Sequence, residues 1–270
     1  MEESQVLRTI IAARRRRIAG LRANTPIESI RADAESRTNF RNFAGAISGE
    51  VLSVIAELKR ASPSRGLLRP EYRPLEIAES YQQAGASALS VLTEEQFFRG
   101  SLNDLKAVQE AVRLPVLRKD FIVDEYQVYE TVAAGADALL LIVAALEDKD
   151  LKQLIGLSEQ LHVAPLVEVH TAAELERAVA ADAQIIGINN RNLNTLEVKL
   201  ETSFRLREMI PSSCLAVSES GIKTGNDLER LAKAGFNAVL IGEHLMLADD
   251  PGKELSRLLK SAPTLKMAGA

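Results

Sequence analysis

From residue 51 almost to the C-terminus, short apolar segments alternate with longer segments whose apolar residues recur at helical spacing. The short segments are rich in Val, Ile and Leu, which is typical of strands buried on both faces. Helices between such strands make right-handed crossovers, so neighbouring strands should be parallel. Eight strands are predicted, at residues 51–59, 88–93, 115–120, 138–144, 164–169, 185–189, 214–219 and 238–242. Helices are predicted at residues 74–84, 102–112, 125–134, 148–161, 171–181, 202–209, 225–234 and 251–260.

A weak internal repeat supports this count of strand–helix units. Gly85 and Gly135 are fifty residues apart, Gly135 and Gly235 are one hundred apart, and each follows a predicted helix. A glycine at such a position can adopt the left-handed conformation that ends a helix. The fourth copy, expected near residue 185, has Asp182 in place of glycine, so the repeat is imperfect.

Eight strand–helix units predict an α/β fold, the (β/α)8 TIM barrel, whose active site lies at the C-terminal ends of the strands. The competing architecture is an open doubly wound sheet. It usually has a Gly-rich loop after the first strand, and residues 61–66 do not match that dinucleotide fingerprint. We expect one domain over residues 1–270, with an N-terminal helical extension at 1–48, the barrel at 49–262 and a tail at 263–270.

The helical spacing of apolar residues near the N-terminus predicts an amphipathic helix rather than a transit peptide, and Arg14 to Arg17 are predicted to form its solvated face. No apolar run reaches the roughly 18 residues of a membrane span. The net charge of −4 gives no general attraction to nucleic acid or to an anionic membrane, so neither partner is expected. The single Cys214 excludes an intramolecular disulfide and suits a cytoplasmic location.

Two charged residues stand at the end of the first predicted strand. Glu57 and Lys59 are two residues apart, so they project from the same face. Charges in a buried strand are costly to desolvate unless they are paired or used in chemistry. This strand end is therefore a candidate site.

Other predicted strands also end in polar or charged side chains, and all of these ends meet at one mouth of a barrel. They are Lys119 on the third strand, Glu168 on the fifth, Asn189 and Arg191 on the sixth, and Glu219 and Ser220 on the seventh. The structural alternative is a set of ion pairs that closes the top of the barrel. Buried ion pairs are a costly way to gain stability, so a catalytic site is favoured.

Gly221 and Gly242 follow the seventh and eighth strands, where such barrels commonly bind phosphate through backbone N–H groups. No metal or cofactor is expected, because the three histidines lack ligand spacing. His170 nevertheless follows the fifth strand closely enough to influence a pKa at the mouth. A Ser-His-Asp hydrolase is not expected, because no Gly-x-Ser-x-Gly elbow is present.

Several segments, in chain order, resemble the indole-3-glycerol phosphate synthase family of tryptophan biosynthesis. They read IAELKRASPSRG (55–66), LTEEQFFRGSL (92–102), LPVLRKDFI (114–122), IGINNRNL (186–193), SESGI (218–222) and LIG (240–242). The N-terminal extension fits this family too. The resemblance implies a carboxy-lyase that converts 1-(2-carboxyphenylamino)-1-deoxyribulose 5-phosphate into indole-3-glycerol phosphate, CO2 and water.

The resemblance also implies roles for the mouth residues. Lys119 is implied as the general acid of ring closure, and Glu168 as an acid–base residue of the dehydration. Lys59 is implied to bind the substrate carboxylate and to transfer a proton during dehydration, with Arg191 near the same carboxylate. The residues implied to orient hydroxyl groups and the two lysines are Glu57, Asn189 and Glu219, with Ser220 beside them. We expect burial and a second nearby ammonium to lower the pKa of Lys119.

The substrate's two ends are assigned in the same way. The implied phosphate positions are Ser62, Gly221 and Gly242. The implied apolar pocket for the aromatic ring comprises Phe98, Phe121, Leu140 and Ile142, for which core packing is the alternative. Glu243 departs from the small residue expected there in many relatives, and its carboxylate would repel phosphate unless its side chain turned away.

Two other functions stay open at this point. One is a Schiff-base aldolase that uses Lys59 or Lys119 as nucleophile. The other is a phosphate-sugar binding barrel without catalysis. We expect a monofunctional protein whose partner is the small-molecule anilino sugar phosphate, and a monomer, with a dimer as the alternative.

Overall fold

The computed structural model describes residues 5–262, and its centre is a closed barrel of eight parallel strands. They are β1 (Ser53–Leu58), β2 (Ala88–Leu92), β3 (Val116–Lys119), β4 (Ala138–Ile142), β5 (Ala164–Val169), β6 (Ile185–Asn189), β7 (Leu215–Glu219) and β8 (Ala238–Ile241). Each strand pairs with its neighbours in chain order, and β8 closes the ring against β1. The predicted barrel is confirmed, and the open doubly wound sheet is wrong.

Eight helices on the outside of the barrel connect the strands. They are Pro74–Ala84, Leu102–Ala111, Glu125–Ala133, Asp148–Gln160, Ala172–Ala180, Glu201–Arg207, Gly225–Lys233 and Pro251–Lys260. Their ends lie within two residues of the predicted ones. The sequence patterns did not reveal three short elements: a hairpin of Ala61–Ser62 with Gly66–Leu67, a 3-10 turn at Val143–Ala145 and a helix at Glu243–Leu247.

Left-handed residues end several of these helices, as the repeat predicts. Gly85, Gly135 and Gly235 have φ angles of 99°, 88° and 82°. Asp182 has a φ of 66° at the fourth, imperfect copy of the repeat. The backbone conformation is therefore kept there without glycine, which a short polar residue such as Asp tolerates better than most.

Inward-facing side chains fill the barrel in layers. The lower layers are apolar and include Ile55, Leu117 and Val217. The helix Phe43–Ile47 closes the N-terminal end by burying both of its terminal side chains among them. Polar side chains are therefore concentrated at the opposite end of the barrel, where the strands finish.

The N-terminal extension contributes two more helices, Gln5–Asn24 and Ile27–Glu35. The first is amphipathic as predicted and buries Leu7, Ile10 and Ile18. None of the helices within the described part of the chain combines the length and apolar character needed to cross a membrane. The predicted tail at 263–270 lies outside the described residues.

The prediction of a solvated arginine face is wrong for Arg14, although Arg15 and Arg16 are exposed. The side chain of Arg14 is 2% exposed and lies 2.6 Å from the carboxylate of Asp120 and 2.7 Å from that of Glu95. Asp120 is buried directly after β3, and a buried carboxylate is stable only when paired. The extension is thus fastened to the strand that carries Lys119.

Candidate active site

A cavity of about 1010 Å3 opens at the C-terminal ends of the strands. Every site residue predicted from the sequence except Ser62 lines it. The strand alternation explains this, because the last inward position of most strands carries a polar or charged side chain. Side chains far apart in the chain are thereby brought together.

The ammonium of Lys119 lies between two buried carboxylates. Its Nζ donates a hydrogen bond to Glu168 Oε2 on β5 at 2.8 Å. It also lies 3.2 Å from Glu219 Oε2 on β7. Three strands that alternate around the barrel therefore share one cluster of charge at the centre of the mouth.

This arrangement determines the protonation of the cluster. Burial acts to lower the pKa of Lys119, but Glu168, Glu219 and Glu57 outweigh it and raise that pKa above its ordinary value. The expected lowering is wrong for the substrate-free site, because carboxylates rather than ammonium groups dominate its surroundings. Lys119 is fully protonated before substrate arrives.

The pKa values of the two carboxylates are shifted in opposite directions. Burial opposes ionisation of Glu168, but Lys119 and His170 hold its pKa well below the usual range. Burial raises the pKa of Glu219 to about 7, since repulsion from Glu168 offsets part of the attraction of Lys119. At neutral pH Glu168 is therefore a carboxylate, whereas Glu219 gives up its proton less readily than Glu168 does.

A second ion pair stands at the end of β1. Lys59 Nζ donates to Glu57 Oε1 at 2.6 Å, and both side chains are largely buried. The prediction that the two residues share one face is confirmed. Lys59 and Lys119 are thus each paired with a carboxylate at the mouth.

Two glycines leave room for these carboxylates. A Cβ on Gly187 of β6 would lie 2.3 Å from Glu219 Oε1, and one on Gly242 would lie 2.1 Å from Glu57 Oε1. Both contacts are too short for a side chain at either position unless the neighbouring carboxylate moves. Gly242 therefore has a structural reason besides the predicted phosphate contact. Gly187 was not identified from the sequence, although alternation in β6 places it among the inward positions.

Arg191 is held by the loop after β6. Its backbone N donates to Asn189 Oδ1 at 3.0 Å, and its guanidinium donates to Glu243 Oε2 at 3.0 Å. Arg65, which sequence reasoning missed, donates to the other oxygen of Glu243 at 3.3 Å. The carboxylate of Glu243 therefore faces two guanidinium groups. Arg65 lies in the loop after β1, where no periodic pattern marks it.

The loop after β7 has the backbone that a close ligand contact requires. Ser220 and Gly221 follow one another with φ angles of 69° and 86°. Lys223 and Arg230 also line the cavity and add positive charge to its surface. Cationic side chains and left-handed backbone are a suitable combination for an anion.

Ser62 is placed differently from the other predicted residues. It lies buried in the hairpin after β1, with its Oγ 3.3 Å from Ser64 Oγ. It lines a smaller cavity of about 100 Å3 beside the mouth. Ser64, which was not predicted, lines both cavities. The role of Ser62 toward phosphate stays a prediction.

An apolar wall completes the mouth. The rings of Phe98 and Phe121 are 6.0 Å apart between centroids and tilted by 40°. Leu140 and Ile142 on β4 are buried but still reach the cavity. A charged cluster next to an apolar wall suits a ligand that carries both an aromatic ring and polar groups.

Comparison with solved structures shows the fold. The chain is similar to 3-hexulose-6-phosphate synthase from Salmonella typhimurium, with a TM-score of 0.65 and 14% identity over 79% of this chain and 100% of that one. It is also similar to a thiamine phosphate pyrophosphorylase from Pyrococcus furiosus, with a TM-score of 0.62 and 16% identity over 82% of this chain and 99% of that one.

Sequence comparison is more specific. The indole-3-glycerol phosphate synthase family model matches residues 7–258. The indole-3-glycerol phosphate synthase of Polaromonas naphthalenivorans is 49% identical over 94% of this chain and 98% of its own length. That of Chloroherpeton thalassium is 52% identical over 89% and 94%. These matches, which agree with the residues found at the mouth, show that the chain belongs to the indole-3-glycerol phosphate synthase family.

Proposed function

We propose a catalytic or binding role for each of the residues at the mouth in the reaction of this chain. The chain is a carboxy-lyase of tryptophan biosynthesis that converts 1-(2-carboxyphenylamino)-1-deoxyribulose 5-phosphate into indole-3-glycerol phosphate, CO2 and water. The observation that carries the assignment of roles is the position of Lys119, protonated between Glu168 and Glu219 at the centre of the cavity.

Lys119 is the general acid of ring closure in this proposal. The aromatic carbon that bears the carboxylate attacks the ketone carbon, and the carbonyl π electrons move to oxygen. Lys119 gives that oxygen a proton, so a hydroxyl group results. Its raised pKa supports the role by keeping the proton on Nζ until the oxyanion develops.

Lys59 and Arg191 bind the substrate carboxylate before it leaves as CO2. Both line the cavity and present cationic groups. When the bond to the carboxylate breaks, its electrons return to the ring and restore aromaticity. Both cations are already bound to carboxylates, to Glu57 and Glu243, so the substrate carboxylate competes with protein anions for them.

Glu168 acts as the base in the dehydration. The new hydroxyl group leaves as water after it receives a proton, for which Lys59 is the proposed donor, while a proton leaves the adjacent ring carbon to Glu168. Its lowered pKa keeps Glu168 deprotonated, so the carboxylate is available to accept a proton at neutral pH. Glu57, Asn189 and Glu219, with Ser220 beside them, orient the substrate hydroxyl groups and the two lysines.

The remaining predicted residues bind the two ends of the substrate. Backbone N–H groups at Gly221 and Gly242, together with Ser62, are proposed to hold the phosphate. The apolar wall of Phe98, Phe121, Leu140 and Ile142 is proposed to hold the aromatic ring. The left-handed backbone at residue 221 supports the first assignment, and the exposure of the wall to the cavity supports the second.

The family assignment supports this reaction over a Schiff-base aldolase and over a barrel without catalysis. The protonation of the site agrees, because a lysine must lose its proton to attack a carbonyl and the raised pKa of Lys119 opposes that loss. We also propose that the protein acts as a monomer in the cytoplasm. Sedimentation of the purified chain tests the first of these two statements.

Lys119→Ala tests the assignment of the acid. We expect the rate of indole formation in a single turnover to fall by about 100- to 10,000-fold, the range for loss of a general acid. Binding of the anilino sugar phosphate should be largely kept. The exposed Lys106, on the helix Leu102–Ala111, provides the control variant Lys106→Ala. A near-wild-type rate for Lys119→Ala would remove Lys119 from the mechanism.

A further inference from the structure

Next to Glu168 lies a buried histidine that the steps above do not use. His170 follows β5 by one residue, and its side chain is only 8% exposed. It is two residues from Glu168, so alternation directs both side chains to the same side of the chain. Glu168 lines the cavity whereas His170 does not, so the imidazole contacts the carboxylate without bordering the substrate space.

The imidazole bridges two carboxylates. Its Nε2 lies 3.4 Å from Glu168 Oε1, and its Nδ1 lies 3.0 Å from Glu174 Oε2. Within residues 5–262, Nε2 makes no hydrogen bond of normal length, so Glu168 is the group that it faces. The other oxygen of Glu168 accepts from Lys119 at 2.8 Å. Each oxygen of Glu168 therefore faces a different nitrogen base.

Glu174 is itself fixed in place by the start of the helix Ala172–Ala180. Its Oε2 also accepts from the backbone N of His170 at 2.8 Å. Its Oε1 accepts from Thr171 Oγ1 at 3.2 Å, while Thr171 Oγ1 accepts from the backbone N of Glu174. The imidazole is thus anchored to a capped helix end rather than to a mobile side chain.

We propose that His170 is a positioning residue for Glu168: an imidazolium, anchored by Glu174, that fixes the carboxylate at the oxygen not bonded to Lys119 and keeps it ionised while Lys119 gives up its proton. This inference rests on the proposed role of Glu168 as base. Burial alone would lower the pKa of His170, but Glu168 and Glu174 outweigh it and raise that pKa to about 9. The ring therefore carries a positive charge at neutral pH.

The consequence appears after ring closure. Once Lys119 has transferred its proton, Glu168 loses the charge of one of its two cationic neighbours. Glu219 on β7 still lies close to Glu168, and the negative charge of Glu219 favours protonation of Glu168. The imidazolium opposes this effect, so Glu168 stays able to accept the proton released in dehydration.

Two amide variants separate orientation from charge. His170→Gln can place an amide N–H near the Nε2 position, whereas His170→Asn can place one only near Nδ1. Lys119, Glu168 and Glu219 are unchanged in both. We expect single-turnover indole formation at pH 7.5 to fall about tenfold in the Asn variant and less than about threefold in the Gln variant, because misplacement of a catalytic group is costly.

The pH profile gives the readout that a merely structural residue would not change. Loss of the imidazolium raises the pKa of Glu168, so the acidic limb of the single-turnover rate should move upward by about one unit or more in both variants. Glu174→Gln should move it in the same direction, since it removes the anion that holds the imidazolium. This variant also provides the measurement if His170→Asn does not fold, as judged by circular dichroism.

Glu168→Gln, measured in parallel, separates the two proposals. If Glu168→Gln is slow while the His170 variants keep both the wild-type rate and the wild-type acidic limb, His170 does not position Glu168 and this inference is wrong. If Glu168→Gln itself keeps the wild-type rate, the proposed role of Glu168 is wrong instead. Both proposals are supported if His170→Asn is slower than the wild type, the acidic limbs of the His170 variants are shifted upward, and Glu168→Gln is slow.

Discussion

Gly187→Ala probes the space reserved for Glu219. The new methyl carbon would lie 2.3 Å from Glu219 Oε1 and 3.3 Å from Leu166 Cδ1. To reach the 3.4 Å of ordinary contact, the carboxylate must move by about 1.1 Å. Glu219 is buried, so its carboxylate cannot move out into solvent. It must change the 3.2 Å contact with Lys119 or displace the strands.

The expected cost is mainly catalytic. A displacement of about 1 Å in a catalytic constellation can cost about 100-fold in rate, and overpacking of a tight interior costs about 1–3 kcal/mol of stability. We therefore expect the single-turnover rate of indole formation to fall about 100-fold while the protein remains folded. The affinity for substrate should change much less, because the atoms nearest to a Cβ at residue 187 belong to Glu219 and Leu166 and not to the residues proposed to hold the phosphate or the aromatic ring.

Gly156→Ala is the matched control. Gly156 lies within the helix Asp148–Gln160, and a Cβ there would meet nothing within 4 Å. This substitution should leave the rate unchanged and stabilise the helix by about 0.5–1 kcal/mol. A wild-type single-turnover rate for Gly187→Ala, in a variant whose substitution is verified by mass, would refute the reasoning that Gly187 positions Glu219 for catalysis.

Two predictions concern stability. Arg14→Met keeps an unbranched apolar stem but removes the guanidinium that pairs with buried Asp120. Because Arg118 still lies 3.2 Å from that carboxylate, we expect a loss of about 2–4 kcal/mol, measured by urea unfolding, rather than the larger cost of an unpaired charge. A loss below about 1 kcal/mol would contradict the assigned pairing. Because the pKa of His170 is raised in the folded protein, its imidazolium contributes fully to stability at pH values below 6.5, the ordinary pKa of histidine. That contribution disappears as the pH rises through about 9. The wild type should therefore lose up to about 3 kcal/mol relative to His170→Gln between those pH values, and parallel stability curves for the two proteins would exclude the linkage.

The barrel could be predicted because its signals are local. Each strand and each helix of the barrel has its own spacing of apolar residues in the sequence. Several of the helices are followed by a residue that can adopt the left-handed conformation. Strand alternation also fixes which side chains face the mouth, which is why Lys119, Glu168 and Glu219 were identified from their positions alone. These predictions need only the order of the strands and the knowledge that their C-terminal ends meet.

What could not be predicted depends on distances between residues far apart in the chain. Arg14 lies in a run of four arginines, and only the folded structure brings Asp120 against it. The pKa of Lys119 depends on how closely three carboxylates approach it, and the sequence does not contain those distances. Alternation shows that Gly187 faces inward, but not that the side chain of Glu219 leans over it.

The helix Phe43–Ile47 has a consequence for the order of folding. Phe43 and Ile47 precede every strand in the chain, yet the interior cluster that buries them extends from Ile55 to Leu240. Contacts of such long sequence separation form late, because many loops must close first. Until β8 pairs with β1, the helix has no complete cavity to enter, and its apolar side chains remain available for wrong contacts. Closure of the ring and burial of this helix are therefore expected to occur as one cooperative step.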